Sequence, residues 1–305
     1  MTACGRLLAI MGLLLGLMAP VGALAAQERH SNAEVDIIHH IGDSHELDLP
    51  VIGIVELPRW APIHIGGLEI DLSPTKHVVF MLVSAVLCTL IFVLSARAIA
   101  RAQARGRPAK GFAGAMEATA LWVRQEVILP TIGHHGEKYV PYLLTLFFFI
   151  LGMNLLGLFP GGATATGNIA VTAALAGMAF IVIEVSGMLS LGPKGYLQTI
   201  FYVPPGLPPA LRPIMLVIML PVEIIGKLAK PFALAVRLFA NMTAGHVLVL
   251  ALIGLTFVFQ SYAVGIGASI LATGVMLLEL FVAFLQAYVF TLLTSVFIGL
   301  IRESH

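Results

Sequence analysis

The chain has 305 residues, 59% of them hydrophobic and only 11% charged, with a formal net charge of +1. Soluble domains carry about 25% charged residues, so the composition excludes a soluble globular protein and implies several membrane spans. No basic stripe is present, which excludes nucleic acid as a partner, and Cys4 and Cys88 lie in separate apolar runs that allow neither a disulfide framework nor a metal knuckle.

Residues 1–26 read as a signal peptide. Arg6 supplies the positive start, Leu7 to Met18 the apolar core, and Ala23-Leu24-Ala25 an A-x-A cleavage site. An uncleaved extra helix is the alternative. Residues 27–76 form an extracytoplasmic segment, polar and mixed. It carries His30, His39, His40, His45 and His64, with His77 just beyond. These read as solvated surface. His45-Glu46 begins an H-E-x-x-H pattern, but Leu49 stands at the closing position, so the zinc-protease motif fails.

Residues 77–110 hold the first span and a basic loop. His77 to Ala96 is long enough to cross a bilayer. Arg97, Arg101, Arg105, Arg107 and Lys110 follow at once, which places that end in the cytoplasm. The N-terminus is then outside, in agreement with the signal peptide. Residues 111–138 mix Phe112, Met116, Trp122 and Ile128 with Glu117, Arg124 and Glu126. That mixture predicts an amphipathic helix on the cytoplasmic surface, followed by a linker.

Residues 139–191 supply two spans, 139–159 and 165–191, joined by a turn at Pro160-Gly161-Gly162. Glu184 sits roughly 24 Å beyond Asn168, towards the cytoplasmic end of the second. It is either a second acid on a proton route or a carboxylate closing the span. Residues 192–211 form a proline-rich cytoplasmic loop. Residues 212–305 contain two apolar stretches, each about twice the length of an upright span, so tilt or curvature is required. Pro213, Pro221 and Pro231 can kink the first. The fold class is an all-α multi-pass membrane protein with about five membrane helices, the last two a long, curved antiparallel hairpin.

Arg237 stands alone in the oil of that hairpin. An arginine at a helix centre costs roughly 2.5–3.5 kcal/mol on insertion scales, which argues for a use. With the hairpin turn at Gln260-Ser261-Tyr262, equal rise on both helices sets Arg237 opposite Gln286 and His246 opposite Glu279. Glu223 lies roughly 21 Å to the cytoplasmic side of Arg237, and His246 roughly 13 Å to the outer side. At about 100° per residue, Glu223 and Asn241 share the arginine's face while His246 points away. The layout is two offset proton half-channels separated by a permanent cation. A guanidinium forces a facing acid to ionise, so the arrangement asks for a partner with a mid-membrane carboxylate. Arg237 paired internally with Glu223, and Gln286 and Asn241 as packing glue, are the structural alternatives.

The segments "KPFALAVRLFANMTAGH", "LLELFVAFLQAYVFTLLT" and "GNIAVTAALA" resemble subunit a of the F-type ATP synthase membrane sector, over residues 139–305. The resemblance implies a non-catalytic, proton-translocating stator subunit in a bacterial inner membrane. Arg237 and Asn241 would face a ring of c subunits, with Glu223 in the cytoplasmic half-channel and Gln286 beside the arginine. His246 and Glu279 would form the outer half-channel, in positions where some family members carry the two residues in reverse order. The implied partners are the c-ring, b-type peripheral stalk subunits, the remainder of the synthase and the lipid bilayer; no cofactor or metal is implied. Protons are favoured over sodium as the coupling ion, because His246 is a poor sodium ligand. The competing readings are a self-contained ion-coupled secondary transporter, for which no second copy of the 212–301 hairpin is found, and an intramembrane hydrolase, for which G-x-S-x-G with its partners is missing.

Overall fold

The computed structural model describes residues 43–44, 46–49, 53–60, 63–65, 68–70, 73–133, 136–159, 164–201, 208 and 212–303. The signal peptide, His30, His39, His40, His45, the turn at 160–162 and residues 202–207 and 209–211 of the proline-rich loop lie outside them.

Among the described residues two short antiparallel hairpins come first. Strand β1 (Glu46–Leu49) pairs with β2 (Gly53–Glu56), and β3 (Ile63–Ile65) with β4 (Leu68–Ile70). Among the described residues seven α-helices follow: α1 (Lys76–Ala104), α2 (Phe112–Trp122), α3 (Leu129–Ile132), α4 (Val140–Gly157), α5 (Ile169–Ile200), α6 (Arg212–Phe259) and α7 (Tyr262–Glu303). Among the described residues five segments are long and apolar enough to cross a membrane: α1, 136–157 ending in α4, α5, α6 and α7. Alternation puts the β-hairpins, the start of α5 and the α6–α7 turn on one side, called here the turn side. The loop after α1, the far end of α5 and the end of α7 lie on the other, the terminal side.

The turn side is laced together by Asp43. Its Oδ1 lies 2.8 Å from His77 Nδ1, and its Oδ2 accepts from Asn168 Nδ2 at 2.8 Å. Asn168 also caps α5, its side chain accepting from the Ala170 amide. His77 is therefore not solvated surface but only 3% exposed, because a carboxylate from the leading segment covers it.

Residues 112–132 run as one helical segment through a π-helical turn at Val123–Ile128. Pro130 has no amide hydrogen for the carbonyl four residues back, and the π turn immediately precedes it. The expected amphipathic helix thus has two halves. No residue of α2 is buried, whereas Val123, Val127, Ile128 and Ile132 enter the core. There they join Leu143, Phe147 and Ile150 of α4 and Phe290 and Ile298 of α7.

Helix α5 carries one break. Gly192 adopts φ 70° and ψ 167°, a conformation left to glycine, and Pro193 starts the next turn. A straight helix would set Glu184 and Tyr196 roughly 18 Å apart along its axis. Instead their side chains are hydrogen-bonded, so the chain turns back sharply after Leu191. The span is 169–191, and 193–200 is a separate helical piece folded against it.

Helices α6 and α7, of 48 and 42 residues, form the antiparallel hairpin. Pro221 and Pro231 sit inside α6 without ending it. At 1.5 Å per residue the pair is roughly 72 and 63 Å long, about twice the bilayer core, so both must lie strongly inclined. The turn falls at Gln260, whose φ of 45° is the one positive value for a non-glycine among the described residues. Only 6% of α6's most apolar window is buried, against 50% for the window of α4. The bundle holds one edge of α6 and leaves the rest bare.

Candidate functional site

Three polar clusters lie along the hairpin, in the order terminal side, middle, turn side. On the terminal side, Glu223, Lys227 and Lys230 recur at i, i+4 and i+7, one face of α6. With Glu184, Thr199 and Phe297 among its other walls, that face lines a cavity of about 160 Å³. The Tyr196 hydroxyl donates to Glu184 Oε2. Lys227 Nζ lies 3.3 Å from the same oxygen and 4.5 Å above the Tyr196 ring. Lys230 Nζ lies 4.9 Å over the Phe297 ring. Glu223 makes no hydrogen bond or ion pair among the described residues.

In the middle, Leu234, Leu238 and Met242 bury one ridge of α6. Arg237 projects on the exposed side and makes no ion pair or hydrogen bond among the described residues. The internal Arg237–Glu223 pair is absent among them. Asn241, one turn on, donates from Nδ2 to Gln286 Oε1 at 3.0 Å. The equal-rise expectation set Arg237 opposite Gln286; the hydrogen bond to Gln286 comes from Asn241, one turn on along the same face. Gln286 is 1% exposed, and its Nε2 has no partner among the described residues.

On the turn side, His246 Nδ1 lies 3.8 Å from Glu279 Oε1. His246 Nε2 is hydrogen-bonded to the Thr164 hydroxyl. Glu279 is only 8% exposed. Its approach depends on Gly245, where a Cβ would lie 1.9 Å from Glu279 Oε1. Thr164 in turn lies against Gly157, where a Cβ would lie 1.9 Å from its hydroxyl oxygen.

All seven residues expected from the sequence therefore lie along the hairpin and the helix beside it. Several neighbours were missed. Thr164 follows the turn at 160–162 and gives no periodic signal. Asn154 is fully buried in α4, donates to the Ala283 carbonyl at 3.3 Å and accepts from Thr166 at 2.7 Å; an amide alone among apolar residues was the available clue. Lys227, four residues after Glu223, was legible as a same-face cation. Tyr196 was not, because its contact depends on the break at Gly192.

The model of the family described as "ATP synthase A chain" matches residues 78–299. The chain belongs to that family. It is 45% identical over 271 residues to ATP synthase subunit a of Chloroherpeton thalassium, covering 89% of this chain and 78% of that one. To ATP synthase subunit a 2 of Chlorobaculum tepidum it is 46% identical over 265 residues, with coverages of 87% and 72%. To the Anaeromyxobacter sp. subunit a it is 36% identical over 315 residues, with coverages of 93% and 74%. The match takes in the first span as well, so the likeness extends beyond the region 139–305. As a member of the family the chain is a multi-pass subunit of the ATP synthase membrane sector.

Proposed function

We propose that the chain is the stator half of a rotary proton motor. It provides two offset half-channels and sets Arg237 against a ring of c subunits whose mid-membrane carboxylates carry the protons. The observation that carries this reading is the exposure of Arg237 on α6 without an internal counterion among the described residues. A guanidinium facing lipid is costly, so a partner covers it, and an acid is the partner that offsets its charge. Ala233, Ala240 and Ala244 are also exposed around it, and small side chains let a second helix approach closely.

The cavity around Glu223 opens the route to the cytoplasm, and the His246–Glu279 pair opens the route to the outside. Between them Arg237 blocks direct passage, because it stays protonated at any working pH. A ring carboxylate takes a proton from one route, turns, and is forced to release it to the other when it meets the arginine. Each charge that crosses converts about 2.3 kcal/mol per 100 mV into rotation. The chain makes and breaks no covalent bonds itself. The basic run Arg97 to Lys110 supports a cytoplasmic terminal side; the membrane in this reading is a bacterial inner membrane, with b-type stalk subunits holding the chain against the ring.

The test is contact. With Ala240→Cys and a cysteine beside the ring carboxylate, oxidation of membranes should give an a–c cross-link. A matching cysteine at Ile150, which is buried against the chain's own helices, should give none. Absence of the first cross-link in assembled complex overturns the ring-facing assignment. The transporter alternative predicts solute uptake by the purified chain alone in liposomes.

A further inference from the structure

The cavity on the terminal side holds two carboxylates, and they stand in different surroundings. Glu223 is unpaired among the described residues and open to the cavity. Glu184 is held by two partners at one oxygen, the Tyr196 hydroxyl and the Lys227 ammonium. The side chains of Lys227 and Glu184 are 13% and 12% exposed. Tyr196 reaches them only because the chain reverses at Gly192, and Lys227 also caps its ring. Three segments therefore meet at one point: the span of α5, the folded-back piece 193–200, and α6.

We propose that Glu184, Lys227 and Tyr196 are positioning residues of the inner half-channel, which fix the folded-back piece against α6 and leave Glu223 as the carboxylate that carries protons. The inference rests on the half-channel reading of this cavity. A carboxylate locked between a cation and a hydroxyl donor is a poor relay, because taking up a proton would break the ion pair. It is a good anchor, since a buried pair strongly disfavours the loss of one partner while tolerating replacement of both. Glu223, on the same stripe of α6 as Lys227, keeps its place in the cavity only while α6 and the piece 193–200 stay in register.

The anchor and the relay roles differ in how their variants combine. As a relay, Glu184 is needed whatever stands at 227. As an anchor, it matters only while Lys227 is there to be balanced. The measurement is passive proton conductance of inverted vesicles stripped of the catalytic head, divided by the amount of assembled subunit. Glu184→Gln and Lys227→Gln should each lower it about tenfold, and the double variant should recover to within about threefold of the parent. Lys227→Arg should stay near the parent, since it keeps the charge and the ring contact. A double variant no better than the worse single overturns the proposal and makes Glu184 a relay. Unchanged conductance in both singles also overturns it. Glu223→Gln in the same membranes separates the two levels: if it leaves conductance intact, the half-channel reading itself fails.

Discussion

His246 Nδ1 and Glu279 Oε1 approach to 3.8 Å across the α6–α7 hairpin, and the residue before the histidine is a glycine. Gly245→Ala would set a Cβ 1.9 Å from that carboxylate oxygen. The glutamate must swing away, and the pair opens. ATP-driven proton uptake into inverted vesicles should fall about tenfold, the scale set by roughly 1.4 kcal/mol of lost interaction. Because Glu279 lies in a helix interior, its displacement should leave assembly of the complex intact on native gels.

Exchange of the two residues tests the pair as a unit. His246→Glu and Glu279→His should each reduce ATP-driven uptake, while the double exchange should exceed both singles. The coupling expected for contacting residues is about 0.5–3 kcal/mol. Strict additivity of the two losses would show that they act separately.

Gly192 sets the reversal that brings Tyr196 to Glu184. Its φ of 70° and ψ of 167° lie where a side chain costs about 1–3 kcal/mol. No atom stands within 4 Å of a Cβ there, so strain rather than collision is the mechanism. Gly192→Ala should lower the thermal midpoint of the extracted membrane sector and raise proteolysis after Lys194. Gly177→Ala, also free of neighbours within 4 Å but helical within α5, serves as the neutral control.

Asn241 and Gln286 should show a modest coupling. Intramembrane side-chain hydrogen bonds average about 0.6 kcal/mol. A double-mutant cycle on detergent stability with alanine at both sites should give a value of that size.

The sequence shows how far periodicity and isolated charges carry. The spans, the turn at Gln260 and the pairing of His246 with Glu279 were legible, because a charge in a run of apolar residues has few neighbours to choose from. The register was legible only to within a turn. Equal rise set Arg237 opposite Gln286, but side chains reach about a turn either way along a helix, and it is Asn241 that bonds Gln286. The contacts of His77 and Tyr196 were illegible for a different reason. The first is made by Asp43, 34 residues earlier in the chain, and the second by the reversal at Gly192, and neither long-range approach nor backbone reversal is reported by hydropathy. Asn154 offered only its lone amide as a clue, and Thr164 and Thr166 lie in a connection of small residues that has no periodicity.

The central claim is that Arg237 is both the barrier between the two proton routes and the contact for the ring. ATP-driven proton uptake into inverted vesicles, compared between the parent chain and Arg237→Ala at equal levels of assembled complex, tests it most directly. The account predicts strong uptake in the parent and none in the variant. Uptake at the parental rate in Arg237→Ala would contradict it and reduce the arginine to a structural residue.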